Sequence, residues 1–169
     1  MSKSNKVFTN NSGTKNAVTE KDAAVVSFKR AVTNDRAFLL ALRKASMNEH
    51  LQSAGIYLDD AAHFQRIDEY FSDSYIILYR GSAIGLIKLG QLPDAIHIRQ
   101  LQLLPSYHGL GIGSKVLELV KRKAQEKQLA ITLNVLLKNP AKQLYLRHDF
   151  VVITANELEF QMCWQCDVK

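Results

Sequence analysis

The spacing of apolar residues between positions 25 and 165 predicts an alternation of strands and helices. Short runs rich in β-branched and aromatic residues predict strands at 25–30, 75–79, 83–89, 95–104, 130–137, 150–154 and 158–164. Apolar residues three and four positions apart predict two helices after the first strand, one after residue 113 and one after residue 139. The predicted order is β, α, α, β, β, β, α, β, α, β, β. It indicates an α/β fold, a mixed and mostly antiparallel sheet with helices on both faces.

Polar residues mark where the helices begin. Thr33 or Asn34 can cap the first helix, and Asp59 or Asp60 can cap the second. Asn139 followed by Pro140 is typical of a helix start. The predicted apolar faces consist of Phe38, Leu39, Leu42 and Ala45 in the first helix, Phe64, Ile67 and Phe71 in the second, and Leu117, Val120 and Ala124 in the third.

The predicted strand at 95–104 mixes polar and apolar residues. If its side chains alternate strictly, each face of the sheet receives two polar residues from this strand. One face then carries His97, Arg99, Leu101 and Leu103, and the other carries Ile96, Ile98, Gln100 and Gln102.

The composition indicates one globular domain behind a polar tail. The chain has 169 residues, of which 47% are hydrophobic, enough for one sizeable core. Residues 1–24 are rich in Ser, Asn, Thr and Lys, and we expect a disordered tail there and a single domain at 25–169. No apolar run approaches the roughly 20 residues that span a bilayer, and no leader pattern opens the chain. We therefore expect a cytoplasmic protein with no membrane partner.

The charge and the cysteines exclude some classes of partner. The net charge of +6 suits an anionic ligand, but the basic run at 121–127 has no interleaved aromatic residues, so we expect no nucleic-acid binding. Cys163 and Cys166 are the two cysteines of the sequence, whereas a structural zinc site needs two further ligands. We therefore expect no metal.

Three glycines at alternate positions follow Pro105 and directly precede a helix. Gly109, Gly111 and Gly113 permit close approach of the backbone to a ligand, and the helix start offers free N–H groups to an anion. The spacing differs from the P-loop, which needs Gly-Lys-Ser/Thr where this chain has Gly113-Ser114-Lys115. It also differs from the dinucleotide fingerprint, which needs a third glycine at position 114.

The loop resembles the acetyl-CoA motif of the GCN5-related N-acetyltransferase (GNAT) superfamily. That motif reads Gln/Arg-x-x-Gly-x-Gly/Ala, and residues 108–113 read His-Gly-Leu-Gly-Ile-Gly. A second segment, residues 139–150, resembles the family's Asn-x-x-Ala-x-x-Leu-Tyr-x-x-x-Gly-Phe pattern. Three positions depart from the family: His108 replaces Gln or Arg, Asn139 is one residue nearer the tyrosine, and Asp149 replaces glycine. A left-handed helix end tolerates Asp better than most residues.

The resemblance implies a set of site residues. Tyr145 takes the position of the family's general acid, and His97 takes the position of the base on the strand before the loop. Glu157 and Glu159, together with the segment 43–51 that includes Met47, Glu49 and His50, border the acceptor site of relatives. The implied binding residues for acetyl-CoA as co-substrate are Leu101, Leu103, His108, Gly109, Leu110, Gly111, Ile112, Gly113, Ser114, Asn134, Asn139 and Ala141.

Three hypotheses about function remain open from the sequence. The resemblance implies an acetyl-CoA-dependent N-acetyltransferase that modifies a primary amine of a small molecule or peptide. The alternative is a non-catalytic sensor or interaction module of the same fold that binds acyl-CoA, and a third hypothesis is another nucleotide-binding protein. The sequence names neither the amine acceptor nor the oligomeric state, for which a homodimer is the commonest arrangement.

Overall fold

The computed structural model describes residues 7–8 and 25–165, and within them the predicted elements occur in the predicted order. The strands are β1 (Val26–Arg30), β2 (Ser74–Tyr79), β3 (Ser82–Gln91), β4 (Ala95–Leu103), β5 (Ala130–Leu136), β6 (Val151–Ala155) and β7 (Glu159–Trp164). The helices are α1 (Arg36–Ser53), α2 (Asp60–Asp68), α3 (Ile112–Glu126) and α4 (Ala141–Arg147). None of the helices described is long and apolar enough to cross a membrane.

The strands form one seven-stranded sheet in the order β1-β2-β3-β4-β5-β7-β6. Every neighbouring pair is antiparallel except β4 and β5, which are parallel and joined through α3. Helices cover both faces of the sheet, so the predicted fold class is confirmed.

Two hydrophobic cores lie on the two faces. The larger core packs α3 on the sheet and contains Val116, Leu117, Val120 and Ala124, all fully buried. The smaller core packs α1 and α2 on the opposite face and consists of Leu39, Leu42, Ile67, Ile76 and Leu86. Ala45, which helical spacing placed on the apolar face of α1, is exposed.

The predicted turn and cap chemistry is present in several places. Asp59 caps α2, since its Oδ1 accepts from the backbone N–H of Ala62 at 2.8 Å. Asp149 adopts the left-handed conformation with φ 64°, as the helix end before β6 requires. The first helix begins differently from the prediction: Thr33–Asp35 form a 3₁₀ turn, and Asp35 Oδ2 accepts from the Val32 N–H at 2.8 Å.

The predicted tail, residues 1–24, lies outside the described residues except for Val7 and Phe8. Val7 is buried, and Phe8 stacks on Phe28 of β1 with ring centroids 4.9 Å apart. Residues 166–169 of the predicted domain also lie outside the described part, so the proposed division into tail and domain stays a prediction.

A β-bulge in β4 overturns the strict alternation expected for this strand. Lys88 of β3 pairs with Gln100, whereas the next residue of β3 pairs with Ile98, so Arg99 is the extra residue. The bulge shifts the alternation by one position, and Leu101 and Leu103 therefore pack against the same core as Ile98. The prediction that Leu101 and Leu103 share a face with His97 is wrong for this reason.

Lys88 is a fully buried lysine at the centre of the sheet, only 2% exposed. Its Nζ donates to the carbonyls of Arg66 at 3.2 Å, Ile67 at 3.0 Å and Glu69 at 2.5 Å. These carbonyls close the C-terminal end of α2, where no further helical N–H is available. The ammonium thus attaches α2 to the sheet, although burial lowers the pKa of Lys88 to about 8.

We expect Lys88→Met to destabilise the protein by about 2–4 kcal/mol, because the carbonyls at the end of α2 lose a charged donor. Urea unfolding measures the change, with Lys138→Met as the control, since Lys138 is exposed. Equal unfolding midpoints for the two variants would contradict the capping role.

Candidate active site

The site begins where β4 and β5 separate. The two strands pair over only four positions, from Ala95 with Ala130 to Ile98 with Leu133. Beyond this point β4 continues to Leu103 beside β3, and β5 continues beside β7. The far edge of β4 is paired with β3, and the far edge of β5 is paired with β7. The inner edges, which face each other across the separation, keep backbone N–H and C=O groups that the parallel ladder does not use.

A cleft of about 430 Å³ lies at this separation. Both strands, both sheet faces and α4 contribute to its walls. Its lining residues are Arg43, Met47, Leu51, Ile56, Leu58, Arg66, Ile98, Arg99, Gln100, Leu101, Gln102, Asn134, Val135, Leu136, Asn139, Ala141, Tyr145, Leu158 and Glu159.

The glycine loop follows directly from the end of β4. Gly109 and Gly111 have φ values of 73° and 77°, and α3 begins immediately after Gly111. An added Cβ at either glycine would meet no atom within 4 Å, so the backbone here is open to a ligand. The first turn of the 15-residue α3 therefore presents N–H groups to an open surface, which suits an anion.

Gly113 serves a different purpose from the other two glycines. A Cβ at this position would lie 3.1 Å from Leu144 Cδ2 of α4, inside ordinary contact distance. The glycine thus permits α3 and α4 to pack closely. The loop motif and the Tyr145 motif, separated in sequence, meet at this contact.

His108 holds the loop against β4. Its Nε2 donates to the carbonyl oxygen of Leu103 at 2.9 Å, which fixes the ring tautomer with the proton on Nε2. The neighbouring side chains differ in environment: Leu110 is 62% exposed, Ile112 is buried in the main core, and Ser114 is half-buried. Ile112 therefore anchors the start of α3, while Leu110 is free to contact a ligand.

Tyr145 lies in α4 and faces the cleft. Asn139 positions the helix, since its Oδ1 accepts from the Ala141 N–H at 2.9 Å. The Tyr145 ring packs edge-on against Phe150 at 5.7 Å between centroids. Burial raises the pKa of the Tyr145 phenol to about 12, so the hydroxyl keeps its proton over the whole physiological range.

His97 is not among the residues that line the cleft. It lies on β4 before the separation, where its Nδ1 is 2.8 Å from the hydroxyl oxygen of Thr132 on β5. Burial, and secondly the charge of Arg99, lower the pKa of His97, so the imidazole is neutral at physiological pH.

Glu159 is the carboxylate that lines the cleft. One of its oxygens accepts a hydrogen bond from Asn134 Nδ2 of β5 at 2.8 Å, which holds the Glu159 side chain against β5. Asn134 also lines the cleft, whereas Glu157 is exposed and does not.

The wall opposite α4 comes from α1 and the segment after it. Arg43, Met47 and Leu51 are spaced by four and line the cleft as one helix face, whereas Glu49 and His50 do not. The family resemblance predicted that the segment 43–51 borders the acceptor site, but it did not single out Arg43. The spacing of four between Arg43, Met47 and Leu51 was the feature of the sequence that could have indicated a shared helix face.

The candidate site contains no metal centre in the part of the chain described. No group of three or more His, Cys, Asp or Glu side chains within residues 7–8 and 25–165 is arranged to hold an ion.

Two thirds of the chain matches a known protein family. Residues 39–150 match the model of the acetyltransferase (GNAT) family. A search of curated protein sequences gave no match.

Solved structures share the fold at low sequence identity. PaiA N-acetyltransferase from Thermoplasma acidophilum, in complex with coenzyme A, has a TM-score of 0.62 at 20% identity, covering 82% of this chain and 97% of that one. Naa50 from Arabidopsis thaliana, with a CoA-Ac-MVNAL bisubstrate analogue, has a TM-score of 0.61 at 17% identity, covering 84% and 99%. N-acetylglutamate synthase from Neisseria gonorrhoeae, with coenzyme A and N-acetyl-glutamate, has a TM-score of 0.59 at 16% identity, covering 83% and 35%.

Proposed function

The chain belongs to the GNAT acetyltransferase family, and we propose that it transfers the acetyl group of acetyl-CoA to a primary amine of a small molecule or peptide. The observation that carries the proposal is the open strand separation with the glycine loop at its end and Tyr145 on its wall. A thiol-release assay with acetyl-CoA against amino acids, polyamines, aminoglycosides and peptides tests it.

The separation suits the shape and chemistry of CoA. The pyrophosphate binds the N–H groups at Gly111, Gly113 and the first turn of α3. The pantetheine arm carries two amides, and it runs between the inner edges of β4 and β5. Their unused backbone groups, including those of Leu101 and Asn134, satisfy amides as an added strand would.

The chemical step requires a neutral amine. A free alkylamine has a pKa of about 10 and is mostly protonated at pH 7, so a proton must leave before the nitrogen attacks the thioester carbonyl. The C–N bond then forms, the C–S bond breaks, and the sulfur departs as a thiolate. Glu159 attracts the ammonium form into the cleft, and neutral His97 removes the proton through a water.

Tyr145 assists the departure of the thiolate by donating a hydrogen bond. With a phenol pKa of about 12 against about 8.5 for a thiol, complete proton transfer to sulfur would be uphill by about 5 kcal/mol. A hydrogen bond to the developing charge needs no such transfer. The proton that finally neutralises the thiolate comes from water or from the amine.

We expect Gly111→Val to weaken CoA binding at least about tenfold, because a branched side chain would occupy the open space at the loop. Gly81→Val is the matched control: Gly81 also has a positive φ, 83°, and no atom within 4 Å of an added Cβ, but it lies in the β2–β3 hairpin. Calorimetry on the two folded variants measures the affinities. Equal affinities would remove the basis of the CoA proposal.

We expect Tyr145→Phe to reduce kcat by about 10²-fold with little change in CoA affinity, because the hydroxyl acts only as charge develops on sulfur. The ring and its packing on Phe150 are retained. Steady-state kinetics with a productive acceptor measures kcat and KM separately. Turnover at the wild-type rate would show that Tyr145 is a structural aromatic residue with no part in the chemical step.

We expect His97→Ala to lower the rate, and the loss to shrink as pH rises, since higher pH supplies more neutral amine. Glu159→Gln should instead raise KM for cationic acceptors, because it removes their electrostatic attraction. The pH–rate profiles of the two variants distinguish the roles. A wild-type profile for His97→Ala would exclude the residue from proton removal.

A further inference from the structure

Arg43 is a buried cation on the wall of the cleft. It lies on α1, is only 6% exposed, and lines the cleft together with Met47 and Leu51. A buried charge is unfavourable unless an opposite charge or hydrogen bonds compensate it. Among the described residues, however, no carboxylate lies within ion-pair distance of Arg43.

One side of the guanidinium is held by a neutral partner. Arg43 Nε donates to Nδ1 of His63 at 3.0 Å, and His63 is completely buried. Because Nδ1 accepts, the ring proton resides on Nε2, and burial lowers the pKa of His63 and keeps the ring uncharged. The contact orients Arg43 without neutralising it, and the two Nη groups have no acceptor within the described part of the chain.

The nearby carboxylates are engaged elsewhere. Asp60 pairs with Lys44 at 2.5 Å and Asp59 caps α2. On the other side, Asp73 pairs with Arg99 at 3.0 Å.

Arg66, which also lines the cleft, pairs with Glu69 at 3.5 Å. The charged neighbour that acts on Arg43 is this like-charged Arg66, which lowers the pKa of Arg43 further, after burial. Nothing in the described surroundings therefore compensates the guanidinium.

We propose that Arg43 binds a carboxylate of the acceptor, so that the substrate is a small amine that also carries a carboxylate group. The proposal rests on the proposed acetyl transfer and specifies its substrate class. A guanidinium held through Nε presents its two Nη groups as a fork, which matches the two oxygens of a carboxylate.

The two charges of such a substrate meet opposite charges in the cleft. Glu159 comes from β7, beside β5, whereas Arg43 comes from α1, which packs against β4. An amino acid entering the cleft can direct its ammonium to Glu159 and its carboxylate to Arg43. An acceptor without the carboxylate would leave the Arg43 charge buried and uncompensated, and the site should reject it.

The test compares the common amino acids with their α-carboxamides, which differ only in the charge at the carboxyl position. Calorimetry on the wild-type protein saturated with CoA measures binding, and thiol release from acetyl-CoA measures kcat/KM. We expect at least one acid to exceed its amide by about 10- to 100-fold in both. Arg43→Met should remove most of this preference. Arg122→Met, which deletes an exposed arginine of α3 outside the cleft, should retain it.

The outcomes separate this proposal from the acetyl transfer on which it rests. Turnover or binding of amides as good as that of every acid overturns the role of Arg43 but leaves acetyl transfer intact. A protein that binds no CoA overturns the acetyl transfer itself. The comparison of acid with amide uses the wild-type protein, so it decides the matter even if Arg43→Met does not fold.

Discussion

The separation of β4 from β5 is the constraint on which the rest of the site depends. A parallel pair that ends after four residues gives up hydrogen bonds that a continuous sheet would form. The bulge at Arg99 lies at this point and turns β4 away from its neighbour, while β3 and β7 hold the outer edges. The separation leaves a slot with unused backbone groups on both walls. A ligand that contains amides can form the hydrogen bonds that the neighbouring strand does not.

The two faces of the sheet support this slot by different means. The α3 face is a broad apolar core, and it fixes the glycine loop through buried Ile112 and through the close packing of Gly113 on Leu144. The opposite face has a small apolar core and relies on buried polar groups, of which Lys88 and His63 are almost fully enclosed. In the proposed function, the close-packed face holds the loop that binds CoA, and the polar face contacts the acceptor.

On the second face, a series of polar contacts leads from Lys88 in the sheet to Arg43 in the cleft. Lys88 secures the end of α2, and α2 carries His63, which orients Arg43. Arg99 is held by Asp73 and by the Tyr70 ring, whose centroid lies 3.6 Å from the guanidinium carbon. The side chains of Arg43 and Arg99 are therefore positioned by contacts from outside the cleft, which hold them in one orientation.

Local patterns in the sequence predicted the order of the elements, a cap at Asp59 or Asp60, the left-handed turn at Asp149 and the glycine loop, because each depends on neighbours within a few residues. The resemblance of residues 108–113 and 139–150 to a known family added Tyr145, which the fold places on the cleft wall. The bulge at Arg99 was not predictable, since it arises from pairing with β3 and reverses the faces of Leu101 and Leu103. The burial of Lys88 and Arg43 was also not predictable, because charged residues are usually exposed and nothing in the local sequence marks these two as exceptions. Only the packing of α1 and α2 on the sheet decided that these charges lie inside, one beneath a helix end and the other in the cleft.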